Sequence, residues 1–376
     1  MTRQSHILRD DAPRILMVGG GTGGHAYPAI AIADAIRAQA PRAVIEFAGS
    51  PTGIEWRIVP EAGYAIHPVS VRGLQRRLSW KNVTLPFVVA KGLLQAHALI
   101  RHMDADIVVG TGGYVALPLI LAARSLNRPV VLQEQNAFMG LTNRIGKRFA
   151  DRIHVAFQEA VPPDMGERCR LTGNPVRTSL TKPSRDEARA HFRLQSVGQV
   201  LFMTGGSLGS QAMNEAMGAS IQTFLDRGDT AVIWQTGERY YSRFKESIPA
   251  HENMRLLRYV SRMDMAYNAA DLVVCRAGAS TCSELMLTGC ASLLIPSPNV
   301  AEDHQTMNAR SLERAGAAQV LPEARLQDGF VSAVMDLLDH TKRLESMGRE
   351  ARRLARPDAA ADIGRDILSL CRHSPA

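Results

Sequence analysis

Three glycine-rich turns, each placed directly after a short apolar run, are the features of this sequence that most clearly suggest chemistry. They are Gly19–Gly24, Gly110–Gly113 and Gly205–Gly209. Glycine lets the backbone turn sharply and leaves N–H groups free to face an anion, and a helix that starts at the turn adds the positive end of its dipole. Because the third turn lies about half a chain from the first, the pattern predicts two nucleotide-type folds that face each other across a cleft.

Two titratable side chains stand beside such turns. His25 follows the first turn at the start of a predicted helix, and histidine is the side chain that most often serves as a general base. Glu284 lies one turn into a helix that follows the predicted strand Leu272–Cys275, where its carboxylate could accept two hydrogen bonds from a diol such as a ribose. The simpler alternatives are helix capping by His25 and compensation of the helix dipole by Glu284, which is worth only about 0.3–1 kcal/mol.

Polar side chains also follow the strand predicted at Val130–Gln133. Residues 133–136 are Gln-Glu-Gln-Asn, and amides at this edge of a sheet suit the hydroxyl groups of a sugar, although hydrogen bonding within the loop is the alternative. Asp303 and His304 form another polar pair, but no third ligand follows at a suitable spacing. We therefore expect no metal there.

The composition is that of an ordered protein with two domains. The chain has 376 residues, of which 45% are hydrophobic and 21% charged, so it exceeds the usual size of one core. Its five cysteines include no Cys-x-x-Cys pair, which argues against a disulfide framework and against a structural zinc site and fits a reducing cytoplasm. We find no signal peptide and no uninterrupted apolar stretch long enough to span a bilayer.

The elements that must position these residues alternate between short apolar strands and helices. This alternation predicts an α/β fold in which parallel sheets are covered by helices on both faces. The predicted strands are Arg14–Val18, Ala43–Ala48, Ala65–Val69, Ile107–Val109, Val130–Gln133, Arg152–Val155, Val200–Met203, Ala231–Gln235, Met254–Arg258, Leu272–Cys275, Ser292–Ile295 and Ala318–Leu321. The predicted helices include Pro28–Gln39, Thr52–Ala62, Pro86–His102, Val115–Leu126, Ser184–Phe192, Gln211–Arg227, Met263–Ala270, Ser280–Thr288 and Asp303–Ala315.

The alternation breaks at Gly173-Asn174-Pro175, a sequence typical of a turn. We place the domain boundary there, with one domain at 1–173 and the other at 174–357. The tail from Gln327 is predicted to be helical with a break at Pro357, and the last helix, within residues 358–376, is expected to cross back onto the first domain.

The charge distribution indicates anionic partners. The net charge is +8, yet the basic residues do not interleave with aromatic ones and no nucleic-acid-binding motif is present, so we exclude nucleic acid. Residues 62–103 contain no Asp or Glu. Within them, a mixture of basic and apolar side chains favours docking on an anionic membrane surface over a solvated loop. This docking segment comprises Arg72, Leu74, Arg76, Arg77, Leu78, Trp80 and Lys81.

The first turn also matches the dinucleotide-binding fingerprint. Gly19, Gly21 and Gly24 have the required spacing, and Glu46 lies near the end of the next predicted strand, where an acidic residue would bind a ribose. A nicotinamide-dependent oxidoreductase is therefore an alternative, although it leaves the third turn, Glu284 and Gln305 unexplained.

Taken together, the motifs closely resemble the MurG family of bacterial N-acetylglucosaminyltransferases. They occur in the family order from residue 14 to beyond residue 315. The matching segments are Gly20-Gly21-Thr22-Gly23-Gly24-His25 with Pro28, Gly112-Gly113-Tyr114, Glu134-Gln135-Asn136, Leu141-Thr142-Asn143, Gly173-Asn174-Pro175-Val176-Arg177, Gly205-Gly206-Ser207, Cys275-Arg276 with Gly278, Ser283-Glu284, and Asp303-His304-Gln305 with Asn308-Ala309.

The resemblance implies a GT-B fold, in which two Rossmann-like domains face a central cleft. It implies an inverting transfer of GlcNAc from UDP-GlcNAc to the C4 hydroxyl of MurNAc-pentapeptide on undecaprenyl diphosphate (lipid I). The product would be lipid II, a precursor of peptidoglycan, and no metal or other cofactor is implied. Such an enzyme would be peripheral to the cytoplasmic face of the bacterial inner membrane, with other proteins of wall synthesis and cell division as possible partners.

Carried over position by position, the resemblance places His25 and Tyr114 beside the acceptor phosphates and the reaction centre. There His25 is the candidate general base, with the positioning of a phosphate as the alternative role, and Tyr114 lies on the acceptor side. The donor UDP-GlcNAc would be bound by residues from both halves of the chain. They are Thr22, Gly23, Gly24, Asn136, Arg177, Ser207, Val260, Ala279, Ser280, Thr281, Cys282, Ser283, Glu284 and Gln305.

The sequence departs from the family pattern at two places. The third turn continues Gly-Ser-Leu-Gly-Ser where Gln and Ala are common, and Leu117-Pro118 replaces a small residue before the proline that follows Tyr114. Two other hypotheses stay open at this point. One is a glycolipid-forming transferase or a UDP-GlcNAc epimerase of the same fold, and the other is a basic membrane- or nucleotide-binding scaffold without catalysis.

Overall fold

The structure is a computed structural model that describes residues 12–71 and 85–371. Its first sheet contains seven parallel strands in the spatial order third, second, first, fourth, fifth, sixth, seventh. These strands are β1 (Arg14–Gly19), β2 (Val44–Gly49), β3 (Ala65–Pro68), β4 (Ile107–Gly112), β5 (Val130–Glu134), β6 (Arg152–Val155) and β7 (Cys169–Leu171).

The second sheet contains six parallel strands and repeats the arrangement of the first. Its strands are β8 (Gln199–Thr204), β9 (Thr230–Gln235), β10 (Met254–Leu257), β11 (Leu272–Cys275), β12 (Ser292–Leu294) and β13 (Ala318–Val320). They lie in the order β10-β9-β8-β11-β12-β13. In both sheets the chain first adds strands on one side of its first strand, β1 or β8, and then adds the remaining strands on the other side. The predicted pair of Rossmann-like domains is confirmed.

Helices cover both sheets. Those of the first half are α1 (Gly23–Gln39), α2 (Glu55–Glu61), α3 (Leu85–Met103), α4 (Ala116–Ser125) and α5 (Leu141–Gly146). Those of the second half are α6 (Arg185–His191), α7 (Gln211–Leu225), α8 (Glu238–Ser247), α9 (Met263–Ala269), α10 (Ala279–Thr288), α11 (His304–Arg314), α12 (Leu326–Asp339), α13 (Thr341–Leu354) and α14 (Ala359–Cys371).

Strand β1 shows why the apolar runs were recognisable in the sequence. Its residues 15–18 are fully buried, because helices lie on both faces of the sheet. Leu16 and Val18 pack into the layer that contains α3 and α4, whereas Ile15 and Met17 pack against α1 and α14. A continuous apolar run followed by a glycine turn is therefore a reliable sign of each strand here.

The last helix, α14, packs against α1, and polar contacts tie it to the first sheet. The Gln39 side chain donates to the Ala361 carbonyl at 2.9 Å, and Arg170 donates to Asp366 at 2.8 Å. Burial acts to raise the pKa of the Asp366 carboxyl, but His154 at 3.1 Å and Arg170 outweigh it and lower the pKa. The position of the domain boundary at residue 173 itself remains a prediction.

Several elements differ from the sequence-based expectation. Helix α1 starts at Gly23, five residues before the predicted start at Pro28, and β4 continues through Gly110 to Gly112, so the second turn is shorter than predicted. Strand β7 and helices α5 and α8 were not predicted. Helix α8 is largely polar and Phe244 is its one buried residue, although Tyr240 also packs against the core, so its narrow apolar face was not recognised in the sequence.

Candidate active site

The candidate site lies where the carboxyl ends of the two sheets meet. The loop after β5 contacts the second domain directly, since the Ala137 N–H donates to Asn308 Oδ1 on α11 at 2.8 Å. Asn174 connects the same loop to α10, because its Nδ2 donates to the Gln135 carbonyl and to Ser283 Oγ, both at 3.1 Å. The predicted glycine turns follow strands that end at this junction, as is usual for ligand sites in open α/β sheets.

A buried carboxylate stabilises the first glycine turn by accepting hydrogen bonds from backbone N–H groups. Glu55 is only 1% exposed, and its two oxygens accept from the Gly21 and Ser50 N–H groups at 2.9 and 3.0 Å. The turn needs glycine, because Gly21 has φ +84° and a Cβ on Gly20 would lie 2.3 Å from the Glu55 carboxylate. The Gly21 amide is thus already used, while Thr22 and Gly24 lie exposed at the start of α1 and Gly23 is half-buried.

The second turn packs tightly against the first. Gly113 has φ +85°, and a Cβ on it would lie 2.2 Å from the Gly20 carbonyl oxygen. A Cβ on Gly112 would lie 2.6 Å from Nδ1 of His25. The two turns therefore form one wall of the cleft, on which Tyr114 is 59% exposed.

The environment of His25 fixes which of its ring nitrogens carries the hydrogen. Nδ1 lies 3.0 Å from the Thr111 carbonyl oxygen and 3.0 Å from Gln135 Oε1, and both are acceptors. Nδ1 must therefore be the donor, which in the neutral ring leaves the lone pair on Nε2. Among the described residues no partner is seen for Nε2. His25 thus has the tautomer that a general base at the cleft requires.

The loop after β5 is organised by Glu134, which is 2% exposed. Its carboxylate accepts from the Asn136 and Gly140 N–H groups at 3.0 Å each and from Asn143 Nδ2 at 2.9 Å. The Asn136 side chain is committed too, because Oδ1 accepts from Asn308 and Nδ2 donates to Glu134. Asn136 therefore contacts both domains, and its role in donor binding remains a prediction.

In the second domain, Glu284 accepts a hydrogen bond from a tyrosine that was not predicted from the sequence. Tyr267 is 1% exposed and donates its hydroxyl to Glu284 Oε2 at 2.9 Å. Burial raises the pKa of the Glu284 carboxyl, and the hydrogen bond from Tyr267 and the charge of Arg177 oppose this shift. The predicted residues Glu284 and Arg177 are therefore neighbours, and Tyr267 leaves the second carboxylate oxygen available to a ligand.

The predicted donor residues at the start of α10 fall into two groups that differ in their exposure. Ala279, Ser280 and Thr281 are partly exposed, and Gly278 caps the helix without any side-chain hydrogen bond, so the first amides remain open. The side chains of Cys282 and Ser283 lie deeper. The Cys282 thiol is fully buried, its N–H donates to the Gly278 carbonyl, and burial raises the pKa of the thiol to about 12. Ser283 is buried and its Oγ accepts from Asn174, and the roles of Cys282 and Ser283 in donor binding remain predictions.

The third glycine turn leads into α7. Ser207 lies exposed on it, and Ser210 caps α7 by accepting from the Met213 N–H. Arg276 connects this turn to the end of β12, because it donates to Ser210 Oγ at 2.6 Å and to the Ile295 carbonyl at 3.1 Å. Arg276 also forms an ion pair with Glu323.

The last two predicted donor residues are partly used within the protein. The Val260 side chain is buried, and its N–H donates to Gln235 Oε1 at 2.7 Å, which leaves only its carbonyl open. Gln305 accepts from the Ser297 N–H at 2.9 Å through Oε1, and among the described residues no hydrogen-bond partner is seen for its amide nitrogen.

The expectation that the amides of residues 133–136 bind sugar hydroxyls is corrected for two residues. Gln133 and Gln135 are buried and cannot bind sugar hydroxyls.

The comparisons with known proteins agree with this geometry. Residues 15–155 match the glycosyltransferase family 28 N-terminal domain, and residues 200–363 match the glycosyltransferase family 28 C-terminal domain. The chain belongs to glycosyltransferase family 28.

Relatives place the chain more closely within family 28. It is 53% identical over 359 residues to a "UDP-N-acetylglucosamine--N-acetylmuramyl-(pentapeptide) pyrophosphoryl-undecaprenol N-acetylglucosamine transferase" of Salinibacter ruber, covering 96% of this chain and 97% of that one. The crystal structure of Acinetobacter baumannii MurG superposes with a TM-score of 0.79 at 29% identity, covering 95% and 99%. A glycotransferase of kitacinnamycin, at 16% identity and TM-score 0.69 over 96% and 99%, shares the fold. The resemblance to the MurG family and the GT-B fold are confirmed.

The position of Glu46 argues against the oxidoreductase alternative, which required this residue at the end of a strand, and so agrees with membership in family 28. Glu46 is the third residue of β2, which continues to Gly49, and its carboxylate contacts His67 Nε2 at 2.6 Å. It therefore cannot reach a ribose beyond the strand. The described parts of the chain contain no group of three His, Cys, Asp or Glu residues that could hold a metal ion.

The proposed docking segment cannot be located on the family 28 fold. Arg72, Leu74, Arg76, Arg77, Leu78, Trp80 and Lys81 all lie outside the described residues. Helix α3 follows them, and on it Val89 and Leu94 are 47% and 72% exposed. Within residues 12–71 and 85–371, no helix has both the length and the apolar character to cross a bilayer.

Glu55 offers a direct test of how the first turn is built. Replacing Glu55 by Gln puts an NH2 group opposite one of two N–H donors, and an unsatisfied buried donor costs about 1–3 kcal/mol. We expect the free energy of unfolding to fall by this amount and hydrogen exchange at Gly21 to accelerate. Denaturant unfolding and amide exchange measure the two effects. Glu246→Gln on the exposed surface of α8 is the control, and unchanged exchange at Gly21 would show that Glu55 does not hold the turn.

Proposed function

We propose that this protein transfers GlcNAc from UDP-GlcNAc to the C4 hydroxyl of lipid I and so forms lipid II for peptidoglycan synthesis. The observation that carries the proposal is His25, whose Nε2 lone pair is left free at the cleft between two family 28 domains. The name of the 53% identical relative supports the choice of donor and acceptor.

The donor side of the reaction must stabilise a departing nucleoside diphosphate. As the bond between C1 and the phosphate oxygen breaks, negative charge grows on UDP. Open amides at the starts of α7 and α10 and the nearby Arg177 supply positive potential without a metal. Glu284, fixed by Tyr267, binds the ribose hydroxyls and so sets the position of the diphosphate against these amides.

The acceptor side must activate a sugar hydroxyl beside a lipid-linked diphosphate. His25 Nε2 takes the proton from the C4 hydroxyl as the oxygen attacks C1 from the face opposite UDP, which inverts the anomeric centre. Thr111 and Gln135 hold the other ring nitrogen, so the imidazole keeps its orientation during the transfer. Exposed Tyr114 and the amides of the first turn border the acceptor diphosphate.

The membrane side of the proposal rests on charge. We place the protein at the cytoplasmic face of the inner membrane, where lipid I is embedded, and the docking segment within the carboxylate-free stretch 62–103 is its docking surface. Partner proteins of wall synthesis and cell division would gather at the same face. The exposed apolar residues Val89 and Leu94 lie on α3, which follows this segment in the chain.

The decisive experiment is transfer of radiolabelled GlcNAc from UDP-GlcNAc to a lipid I analogue, with analysis of the product. A labelled disaccharide on the lipid is the expected result. Release of an epimerised sugar nucleotide would instead identify an epimerase, and binding of UDP without any turnover would identify a scaffold.

The Glu284 hypothesis concerns donor affinity. Loss of a charged hydrogen-bond acceptor costs about 1.5–3 kcal/mol, so Glu284→Ala should raise the KM for UDP-GlcNAc at least tenfold. Tyr267→Phe, which keeps the carboxylate but removes its support, should raise KM by a smaller factor. Steady-state kinetics with Glu246→Ala as the control measure both. An unchanged KM in a folded Glu284→Ala protein contradicts the assignment.

The His25 hypothesis concerns the chemical step. His25→Ala should lower kcat by roughly 10²–10⁴ while UDP binds as before, and the acidic limb of the pH profile should disappear. His67→Ala is the matched control, because His67 lies on β3 and contacts only Glu46 among the described polar partners. A His25→Ala protein that keeps most of its kcat places the base elsewhere.

The docking hypothesis concerns the bilayer. Each basic residue near an anionic leaflet contributes on the order of 1 kcal/mol, so replacing Arg72, Arg76, Arg77 and Lys81 by Gln should release the protein from anionic vesicles. Activity on a short-chain, water-soluble acceptor should remain. Vesicle sedimentation at increasing salt measures binding, and Gln at Arg239, Lys245, Lys342 and Arg349 is the charge-matched control. Binding that persists in the first variant rules out this segment as the docking surface.

A further inference from the structure

A row of buried amide side chains connects His25 to the second domain. Gln135 Oε1 accepts from His25 Nδ1 at 3.0 Å, and Gln135 Nε2 donates to Gln133 Oε1. Gln133 Nε2 then donates to Asn174 Oδ1 at 2.9 Å, and Asn174 Nδ2 donates to Ser283 Oγ on α10. The three amide side chains are at most 3% exposed. We call Gln135, Gln133 and Asn174 the amide relay.

Backbone carbonyls fix the direction of every bond in the amide relay. At one end, Asn174 Nδ2 donates to the Gln135 carbonyl, which can only accept. At the other end, Gln135 Nε2 donates to the Thr111 carbonyl at 2.7 Å. Turning any one amide around would set oxygen against oxygen, because each nitrogen faces at least one oxygen acceptor. Hydrogen-bond donation therefore runs from His25 Nδ1 through Gln135 and Gln133 to Asn174, and the orientation of the three amides requires Nδ1 to be the donor.

We propose that Gln135 is a positioning residue, which through Gln133 and Asn174 fixes His25 with its hydrogen on Nδ1 and ties this choice to α10 of the donor-binding domain. The inference rests on the proposed function, in which Nε2 accepts a proton. The relay also explains why the buried glutamines are not sugar ligands: their polar atoms are used to orient the imidazole.

The neutrality of the relay has a chemical consequence. A carboxylate in contact with Nδ1 would favour the imidazolium, because an opposite charge within about 4–6 Å stabilises the charged form. A neutral amide accepts the same hydrogen bond without adding this attraction. Gln135 therefore orients His25 without placing a negative charge beside the ring, and Nε2 keeps the lone pair that a base must use.

The direct test is the tautomer of His25, measured by ¹⁵N NMR on the substrate-free protein at a pH where the ring is neutral. The His25→Ala spectrum identifies its ring nitrogens among the eleven histidines. Wild type should carry the hydrogen on Nδ1. In Gln135→Met, which keeps the length of the side chain but not its polar atoms, the share of Nδ1–H relative to Nε2–H should fall by about three- to tenfold.

Kinetics provide the second measurement. In Gln135→Met, kcat should fall by about the same factor, whereas the KM for UDP-GlcNAc should stay within about twofold. Gln133→Met breaks the relay one step further from His25, so its effect should have the same direction and a smaller size, and it carries the test if Gln135→Met fails to fold. Asn214→Leu is the control, since Asn214 is fully buried and its amide donates to the Thr236 carbonyl, away from His25.

The possible outcomes separate this inference from the proposed function. A wild-type His25 with its hydrogen mainly on Nε2, or a tautomer unchanged in both glutamine variants, overturns the role of the relay. A raised KM with an unchanged tautomer would mean that Gln135 only supports the loop, which also overturns it. Absence of GlcNAc transfer by wild type refutes the proposed function, whereas the NMR result is independent of activity.

Discussion

The stretch 134–137 is the point on which the rest of the structure depends, because hydrogen bonds from both domains meet there. Glu134 fixes its start within the first domain, Asn308 accepts from its last amide, and Asn174 donates to its central carbonyl. All of these groups are buried, so each would cost stability if left unpaired. This stretch therefore contributes to the relative position of the two domains, together with the ion pairs Arg144–Glu302 and Arg314–Glu159.

Buried or half-buried carboxylates recur beneath the parts of the cleft that the proposed function assigns to anions. Glu55 lies under the first turn, Glu134 under the loop after β5, and Glu284 beside the start of α10. A negative charge at these places weakens the attraction for a diphosphate, and each is offset by hydrogen bonds from N–H or hydroxyl donors. In the proposed function, anion binding must then come from directed amides and helix starts, with Arg177 as an added charge. Such a site selects by geometry as well as by charge.

The fold was predictable because its physics is local. Each strand of a parallel sheet covered on both faces is a continuous apolar run, and each turn at the ligand edge needs glycine, so sequence alone places β1, β4 and β8 with their turns. Predicted bounds failed where the local pattern is weak. Strand β7 is three residues long, and α8 is largely polar with only Phe244 buried.

The support of the site was not predictable, because its partners are distant along the chain. His25 meets Gln135 across 110 positions, and Gly21 meets Glu55 across 34. Nothing in the sequence around Glu55 or Tyr267 marks them as buried partners of a turn and of Glu284. The same limitation explains the error at Gln133 and Gln135. Amides at the ligand edge suit a sugar, and only the tertiary structure reveals that their polar atoms face inward.

The amide relay has a consequence for motion between the domains. Asn174 and Asn308 contact both domains at the stretch 135–137, so a change in domain angle that preserves these bonds must pivot about that stretch. Residues near a pivot move least, and His25 contacts this stretch directly through its hydrogen bond to Gln135. In the proposed function, the cleft can then open to admit and release ligands while His25 keeps its tautomer. A base beside the pivot would reconcile a cleft that moves with an imidazole that stays oriented.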